Sequence, residues 1–457
     1  MKKIVKSKKY QPVIGLEVHV QLKTESKMFC GCKNNSEEKK PNFNVCPICL
    51  GHPGTLPVIN KEAVKKVLKT AKALNCQIAE ISQFSRKSYF YPDLPKGYQI
   101  SQYDLPLSEK GELNKIRIRR IHLEEDTGRL IHKNNKTLID FNRSGAPLME
   151  LVTEPDIKSA KQAKKFCQDL QLILRYLKVS DANMEKGEMR CEVNVSLKGK
   201  GPKVEIKNLN SFKAVEKSIE YETKRQTNAK KIIQETRGWD ENKQETFSQR
   251  SKESAHDYRY FPEPDLPPLK LSVISYQLSE MPQAKKARFL KEYNLPEQDI
   301  NILIQNKNLA DYFEQIASEL ENKKLIKLAV NYLIKIKDNF KKITGENFAE
   351  FIGLINQGEI SSSAADIILH EMQKTGGDPS QIIEAKDLKQ ESDLDAVIKK
   401  IINNNPKAIQ DFKAGKKQAL KFLIGKIMFA TRGKANPQIA EKILLGGVIY
   451  ERNNNNA

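Results

Sequence analysis

The stretch Gly15-Leu16-Glu17-Val18-His19-Val20-Gln21-Leu22 alternates residue by residue between apolar and polar. A β-strand points successive side chains to opposite faces. Leu16, Val18, Val20 and Leu22 therefore share one face, and Gly15, Glu17, His19 and Gln21 share the other. Other segments repeat the pattern. In Cys191–Leu197 the apolar phase leaves Glu192, Asn194 and Ser196 together, and in Lys203–Lys207 it leaves Lys203, Glu205 and Lys207. Between Ile116 and Asp126 the alternation slips near Arg119-Arg120, as a β-bulge would make it do, and Glu124, Glu125 and Asp126 follow. A sheet with one oily face and one acidic face is expected, in a fold of the α+β class. Each strand taken singly is better read as a solvated sheet face. One histidine among several carboxylates, with few lysines on the same strands, points instead to a Mg²⁺ site completed by phosphate oxygens. Phosphoryl transfer asks a protein for metal, positive charge and positioning rather than covalent chemistry.

The positive charge is at hand. Ser85-Arg86-Lys87-Ser88-Tyr89-Phe90-Tyr91-Pro92-Asp93 interleaves cations with rings, a composition that grips phosphates and stacks bases, or else packs as a half-buried strand. Neither a Walker A sequence nor a kinase glycine-rich loop is present, so any ATP is held by another architecture.

Four cysteines form two close pairs, Cys30-Gly-Cys32 and Cys46-Pro-Ile-Cys49, separated by a polar loop that has little core of its own. Four thiolates satisfy one tetrahedral Zn²⁺, and the metal would supply the stability the loop lacks. Unligated or redox thiols are the alternative. Cys76, Cys167 and Cys191 are scattered, which favours a reducing cytoplasm over a disulfide framework.

The chain has 457 residues, 30 % of them charged and 39 % hydrophobic, with a formal net charge of +21. That length suggests two or three domains, and no apolar run reaches membrane-spanning length. A field of this sign attracts polyanions, nucleic acid first among them, although a Lys-rich composition also serves ordinary solvated faces. Residues up to about 290 read as mixed strands and helices, with helical periodicity at Lys61–Leu74 and Ala160–Leu177. Beyond Tyr293 the pattern is helix after helix, including one long run at Ile316–Ile336, until Asn403-Asn404-Asn405-Pro406 breaks it. The last segment is basic. In it Leu420, Leu423, Ile424 and Ile427 fall at core spacing, while lysines and arginines are free to meet phosphates.

At several places the words themselves resemble those of the GatB family, the B subunits of Asp/Glu-tRNA(Asn/Gln) amidotransferases. The similarity runs through Gly15–Leu22 with Ser26-Lys27-Met28-Phe29-Cys30, through Tyr89–Tyr103, and through His122-Leu123-Glu124-Glu125-Asp126. It continues in Asn142–Leu148, Glu205–Phe212, His256–Pro262 and Ala430–Pro437, and so covers almost the whole chain. The resemblance implies a cytoplasmic carbon–nitrogen ligase with glutamine as amido donor, working in a heterotrimer with the A and C subunits. The B subunit would use ATP to phosphorylate the side-chain carboxylate of Glu-tRNA(Gln) or Asp-tRNA(Asn). Ammonia from the A subunit, a glutaminase, would then displace phosphate. The archaeal paralogue GatE carries a large insertion for which this chain is too short.

The resemblance also implies an organisation. Residues 1–292 would form a cradle, an α+β unit with a largely antiparallel sheet like those of glutamine synthetase and guanidino kinases. An all-helical domain at 293–405 and a small helical tRNA-binding tail at 406–457 would follow. It places His19, Glu17 and Glu125 at the Mg²⁺ site, with Glu124 adjacent and Glu192 and Glu205 as further acidic members. Lys87 and Tyr89 would face phosphate or substrate carboxylate, with Arg190 and Lys207 as further phosphate contacts. In the tail, Lys416, Lys417, Lys421, Arg432 and Lys434 would meet tRNA. ATP, Mg²⁺ and a structural Zn²⁺ at Cys30, Cys32, Cys46 and Cys49 are the implied cofactors. Two departures stand out: Glu192 where the family usually has Asp, and Ser88 where a larger polar residue is expected.

Overall fold

The computed structural model describes residues 10–251, 258–274, 277–388, 394–414, 416–431, 435, 437 and 439–445. They fall into two compact units, Met1–Pro282 and Gln283–Ala457.

The first unit is built on a nine-stranded sheet. Its strands lie in the order Glu245–Ser251, Glu235–Asp240, Val204–Leu209, Met189–Leu197, Pro12–Gln21, Pro147–Thr153, Ile116–Glu125, Ser108–Leu113, Gln77–Ile78. Every neighbouring pair is antiparallel except Val204–Leu209 with Glu235–Asp240. The stretch that opens the chain's logic is thus the central strand. Its burial alternates as the sequence requires, with Leu16, Val18 and Val20 in the core and Glu17, His19 and Gln21 on the other side. The expected slip is present: pairing moves from Val152 opposite Arg120 to Thr153 opposite Ile118, leaving Arg119 as the extra residue.

Three helices, Lys61–Ala73, Ala160–Tyr176 and Phe212–Asn228, bury their apolar sides in the core that the sheet's oily face lines. Each begins at a residue chosen for the job. Asn60, Ser159 and Ser211 accept hydrogen bonds from the first free backbone N–H groups, a contribution of about 1 kcal/mol apiece. Phe166, Leu170, Val193, Met149 and Leu123 fill the layer between helices and sheet. With one face so covered, the polar face is left for chemistry. A smaller sheet, ordered Phe261–Pro262, Ser85–Ser88, Tyr98–Ser101, sits against it. Ser101 Oγ donates to Glu124, and Gln102 Oε1 accepts from Leu123 N at 3.0 Å.

The second unit is helical among its described residues. The periodic run at Ile316–Ile336 is not one helix. It divides into Lys307–Ser318 and Lys323–Lys335, because Asn322 accepts from Lys324 N and Leu325 N and caps a new start. Gly358 and Gly376 take left-handed conformations that end Gly345–Gln357 and Ser362–Thr375. Two cores are distinct. One runs from Phe289 to Leu388, and the other joins Leu394, Ile398, Ile409, Leu423, Ile427 and Leu444. The Leu394–Asn404 helix belongs to the latter, with Pro406–Lys413 and Lys417–Ala430. Among the described residues no helix is long and apolar enough to cross a membrane.

Candidate active site

Register alone brings the site together. In an antiparallel pair, directly opposed residues put their side chains side by side on one face. Glu17 lies opposite Glu192. His19 lies opposite Glu150, and Glu150 in turn lies opposite His122. The result is a row, His19–Glu150–His122, crossing three strands, with Glu124 beside it. His19 Nε2 is 3.4 Å from Glu150 and 3.7 Å from Glu124, and His122 Nε2 is 3.4 Å from Glu150. A second cluster, Glu17, Glu192 and Glu205, forms across the neighbouring strands. Both line one cavity of about 520 Å³.

In each cluster the three ligand atoms lie within 4.8 Å of one another. Octahedral Mg²⁺ at about 2.1 Å from each oxygen needs donors no more than about 4.2 Å apart. Small side-chain movements supply that, so the residues fit a divalent cation. The all-carboxylate set suits Mg²⁺, and the set containing His19 also suits Mn²⁺ or Zn²⁺. The electrostatics agree. Burial would lower the His19 pKa, but Glu150, Glu124 and Glu192 outweigh it and push it up to about 9. Such a pull on a proton is a pull on any cation. Burial raises the Glu192 pKa against the attraction of Lys207 and His19. Lys207 Nζ stands 2.9 Å from Glu192, so the extra methylene at this position ends on a lysine and still keeps its carboxylate with Glu17 and Glu205.

The cavity rim is cationic and aromatic. Lys87 sits 4.9 Å from the Tyr258 ring centroid and 5.8 Å from that of Tyr89. Burial opposes the Lys87 charge, but Glu124 and its neighbours hold the pKa above the usual lysine range. Tyr89 donates to Gln99 Oε1 at 3.3 Å, and burial raises its pKa. Arg190 donates to Asp126 at 2.9 Å, and Gln21 donates to the same carboxylate oxygen at 3.0 Å. Asp126 is thus a brace that aims Arg190 into the cavity.

Glu125 is a correction. Three acidic residues in a row on a strand cannot share a face. Glu124 and Asp126 line the cavity, while Glu125 turns to the side of Ile121 and Leu123. There it accepts from Ile100 N at 2.9 Å and from Lys96 Nζ, beside Phe29 and Cys49. Glu125 is not a member of either cation cluster. Glu125→Gln is therefore expected to cost about 2 kcal/mol of stability by removing the carboxylate that pairs with half-buried Lys96, with divalent-cation affinity unchanged. Glu124→Gln should do the reverse. Denaturant unfolding and Mn²⁺ titration of the two variants separate these effects.

Glu150, His122, Asp126, Tyr258 and Tyr260 also line the cavity and escape a reading of the sequence for site residues. Glu150 had a signal, a lone carboxylate in the otherwise apolar strand Pro147–Thr153. In the tail, Lys416 pairs with Asp411 at 2.9 Å and Lys421 is exposed. The Lys417 side chain, Arg432 and Lys434 lie outside the described residues.

The Sγ atoms of Cys30, Cys32, Cys46 and Cys49 lie within 4.8 Å of one another. Tetrahedral zinc with bonds of about 2.3 Å sets sulfurs about 3.8 Å apart, so the four thiols fit such an ion. Cys46 N donates to Cys49 Sγ at 3.2 Å. The Cys30 thiol beside it holds the Cys49 pKa down to about 4, ready as a thiolate.

Fold and cavity together define a class: an α+β catalytic domain with acidic clusters on the open face of an antiparallel sheet, followed by a helical extension. Comparison with known proteins narrows it. Residues 12–276 match the family described as the GatB/GatE catalytic domain, and residues 311–446 match the one described as the GatB domain. The chain belongs to the GatB family. It is 47 % identical to the B subunit of the aspartyl/glutamyl-tRNA(Asn/Gln) amidotransferase of Persephonella marina, covering 95 % of this chain and 98 % of that one. The proteins of the same name from Carboxydothermus hydrogenoformans and Thermotoga petrophila are 45 % and 44 % identical. They cover 96 % and 95 % of this chain, and 98 % of each relative is matched.

Proposed function

We propose that this chain is the B subunit of a glutamine-dependent Asp/Glu-tRNA amidotransferase. It activates the side-chain carboxylate of Glu-tRNA(Gln), Asp-tRNA(Asn) or both with ATP, then amidates it with ammonia delivered by the glutaminase of the complex, the A subunit. The C subunit completes the heterotrimer, which works in the cytoplasm. The names of the relatives support this reading. The observation that carries it is the meeting of two acidic clusters with Lys87 and Arg190 in one cavity.

A carboxylate is a poor electrophile until one oxygen becomes a leaving group. Its oxygen attacks the γ-phosphorus, the bond to ADP breaks, and an acyl phosphate forms. Ammonia then adds to the carbonyl carbon, inorganic phosphate departs with the electron pair, and the nitrogen gives up one proton, to the departing phosphate or to water, to leave the amide. Divalent cations held by His19, Glu124 and Glu150 and by Glu17, Glu192 and Glu205 would supply charge neutralisation for the phosphates. Lys87 reaches phosphate or carboxylate oxygens from the rim. Arg190, braced by Asp126, and Lys207, anchored on Glu192, hold the transferring group in line. The Cys30, Cys32, Cys46, Cys49 set takes a structural Zn²⁺, because four thiolates leave no open position for substrate. The division into 1–292, 293–405 and 406–457 is part of the same proposal, with the Leu394–Asn404 helix sharing the tail's core.

The reconstituted complex should convert ATP to ADP when given Glu-tRNA(Gln) or Asp-tRNA(Asn), and His19→Ala should abolish that turnover while tRNA still binds. Turnover unaffected by His19→Ala would refute the site. For the tail, Lys421→Glu with Lys426→Glu should weaken tRNA binding on the order of 10-fold near physiological salt, and flatten its salt dependence by about two phosphate contacts. ATP affinity without tRNA should not move. Filter binding across a salt series checks this, and an unchanged slope would exclude the tail from the interface.

A further inference from the structure

Lys27 is 1 % exposed, and its ammonium sits beside the four-cysteine cluster. Its Nζ donates to the Asn44 carbonyl at 2.7 Å and the Phe141 carbonyl at 3.3 Å, and lies 3.6 Å from Cys49 Sγ. Among the described residues no carboxylate is within ion-pair distance of it. A buried ammonium satisfied by carbonyl dipoles alone is costly, and it needs an anion. Among the described residues Cys49 is the candidate in reach. Four thiolates around one Zn²⁺ carry a net charge of −2, which this lysine would halve.

The contacts of Lys27 also join two parts of the chain. Asn44 belongs to the loop between the cysteine pairs. Phe141 opens the turn that leads into the Pro147–Thr153 strand, where Glu150 sits. The same turn is tied to the cysteine loop at other points. Ser144 Oγ donates to the Cys49 carbonyl at 3.2 Å, and Asn142 Oδ1 accepts from Phe43 N and Asn44 N, both at 2.8 Å. Gly145, at φ +80°, lies so close that an added Cβ would stand 3.4 Å from Cys49 Cβ and 3.6 Å from Lys27 Cδ.

We infer that Lys27 is a positioning residue for the metal centre: it supplies the counter-charge of the tetrathiolate and fastens the loaded centre to the turn that feeds the Glu150 strand. This rests on the reading of the four thiols as a zinc site. The test uses Lys27→Met, which keeps the length and removes the charge, beside Lys27→Arg, which keeps the charge. Zinc content of the purified wild-type chain is measured first, and a wild type with no metal on the four thiolates would sink both readings. Given bound zinc, competition with a chromogenic chelator should show Lys27→Met holding Zn²⁺ about 10- to 100-fold more weakly, with Lys27→Arg recovering most of the loss. In Co²⁺-substituted protein the thiolate-to-metal absorption should shift in Lys27→Met and stay in place in Lys27→Arg.

Melting temperatures complete the test. Lys27→Met should lower the Tm of the zinc-loaded protein more than that of the zinc-stripped protein, because the ammonium balances a full tetrathiolate only when the metal is bound. Equal loss of Tm in both states, failure of the stripped variant to fold, or unaltered zinc retention would each overturn the inference while leaving the zinc site standing.

Discussion

Glu150→Gln is expected to slow ATP-dependent activation of the substrate carboxylate by roughly 10³-fold or more. Glu150 lies 3.4 Å from both His19 and His122, nearer to each than Glu124 does, and both imidazoles pull its pKa far below the usual carboxylate range in spite of its burial. The amide has nearly the same shape, so the strand should be undisturbed. What disappears is the charge that completes the first cation cluster. Burst measurements of ADP formation before ammonia is supplied isolate this step. A Glu150→Gln variant that forms ADP at the wild-type rate would remove the cluster from the mechanism. Circular dichroism and tRNA binding should match the wild type in either case.

Stripping metal from the proposed four-cysteine zinc centre is expected to give the second large effect. The segment around Cys30–Cys49 has few buried apolar side chains, and Met28, Phe29 and Cys49 are its main footholds in the core. Without a cation four thiols crowd one another, and the turns closed by Leu50 N on the Cys46 carbonyl and Lys27 N on the Cys32 carbonyl lose their anchor. Amide exchange across residues 27–57 should quicken by roughly 10³-fold on chelation, equivalent to about 4 kcal/mol of local stability. Strands such as Met189–Leu197, away from this loop, should keep their protection. Cys46→Ser should imitate chelation. Exchange that ignores the chelator would show that the loop folds on its own contacts.

The sequence carried much of this, though unevenly. Strict alternation in Gly15–Leu22 and Met189–Leu197 made face assignment a matter of counting, because a strand cannot rotate one side chain without rotating all. The slip at Arg119 was legible for the same reason, and the cysteine spacing spoke for itself. Which carboxylates meet is a different question, since it depends on register between strands more than a hundred residues apart. Glu150 stands out as a lone carboxylate in its strand, but its partners are named only when the Pro147–Thr153 strand is laid beside His19. Glu125 shows the limit of motif reading. Its neighbours belong to the site, and counting outward from Leu123 assigns it to the buried face, where Lys96 receives it. The break at Asn322 was hidden inside a continuous apolar rhythm, because a cap acts through one side chain that periodicity does not weigh.

The most direct test of the two-cluster cavity is anomalous diffraction from the protein crystallised with Mn²⁺ and a non-hydrolysable ATP analogue. Two manganese peaks are expected, one bounded by His19, Glu124 and Glu150 and one by Glu17, Glu192 and Glu205, with the analogue's phosphates between them and nothing at Glu125. A nucleotide bound elsewhere, or a cavity that takes no metal while the analogue is present, would contradict the account.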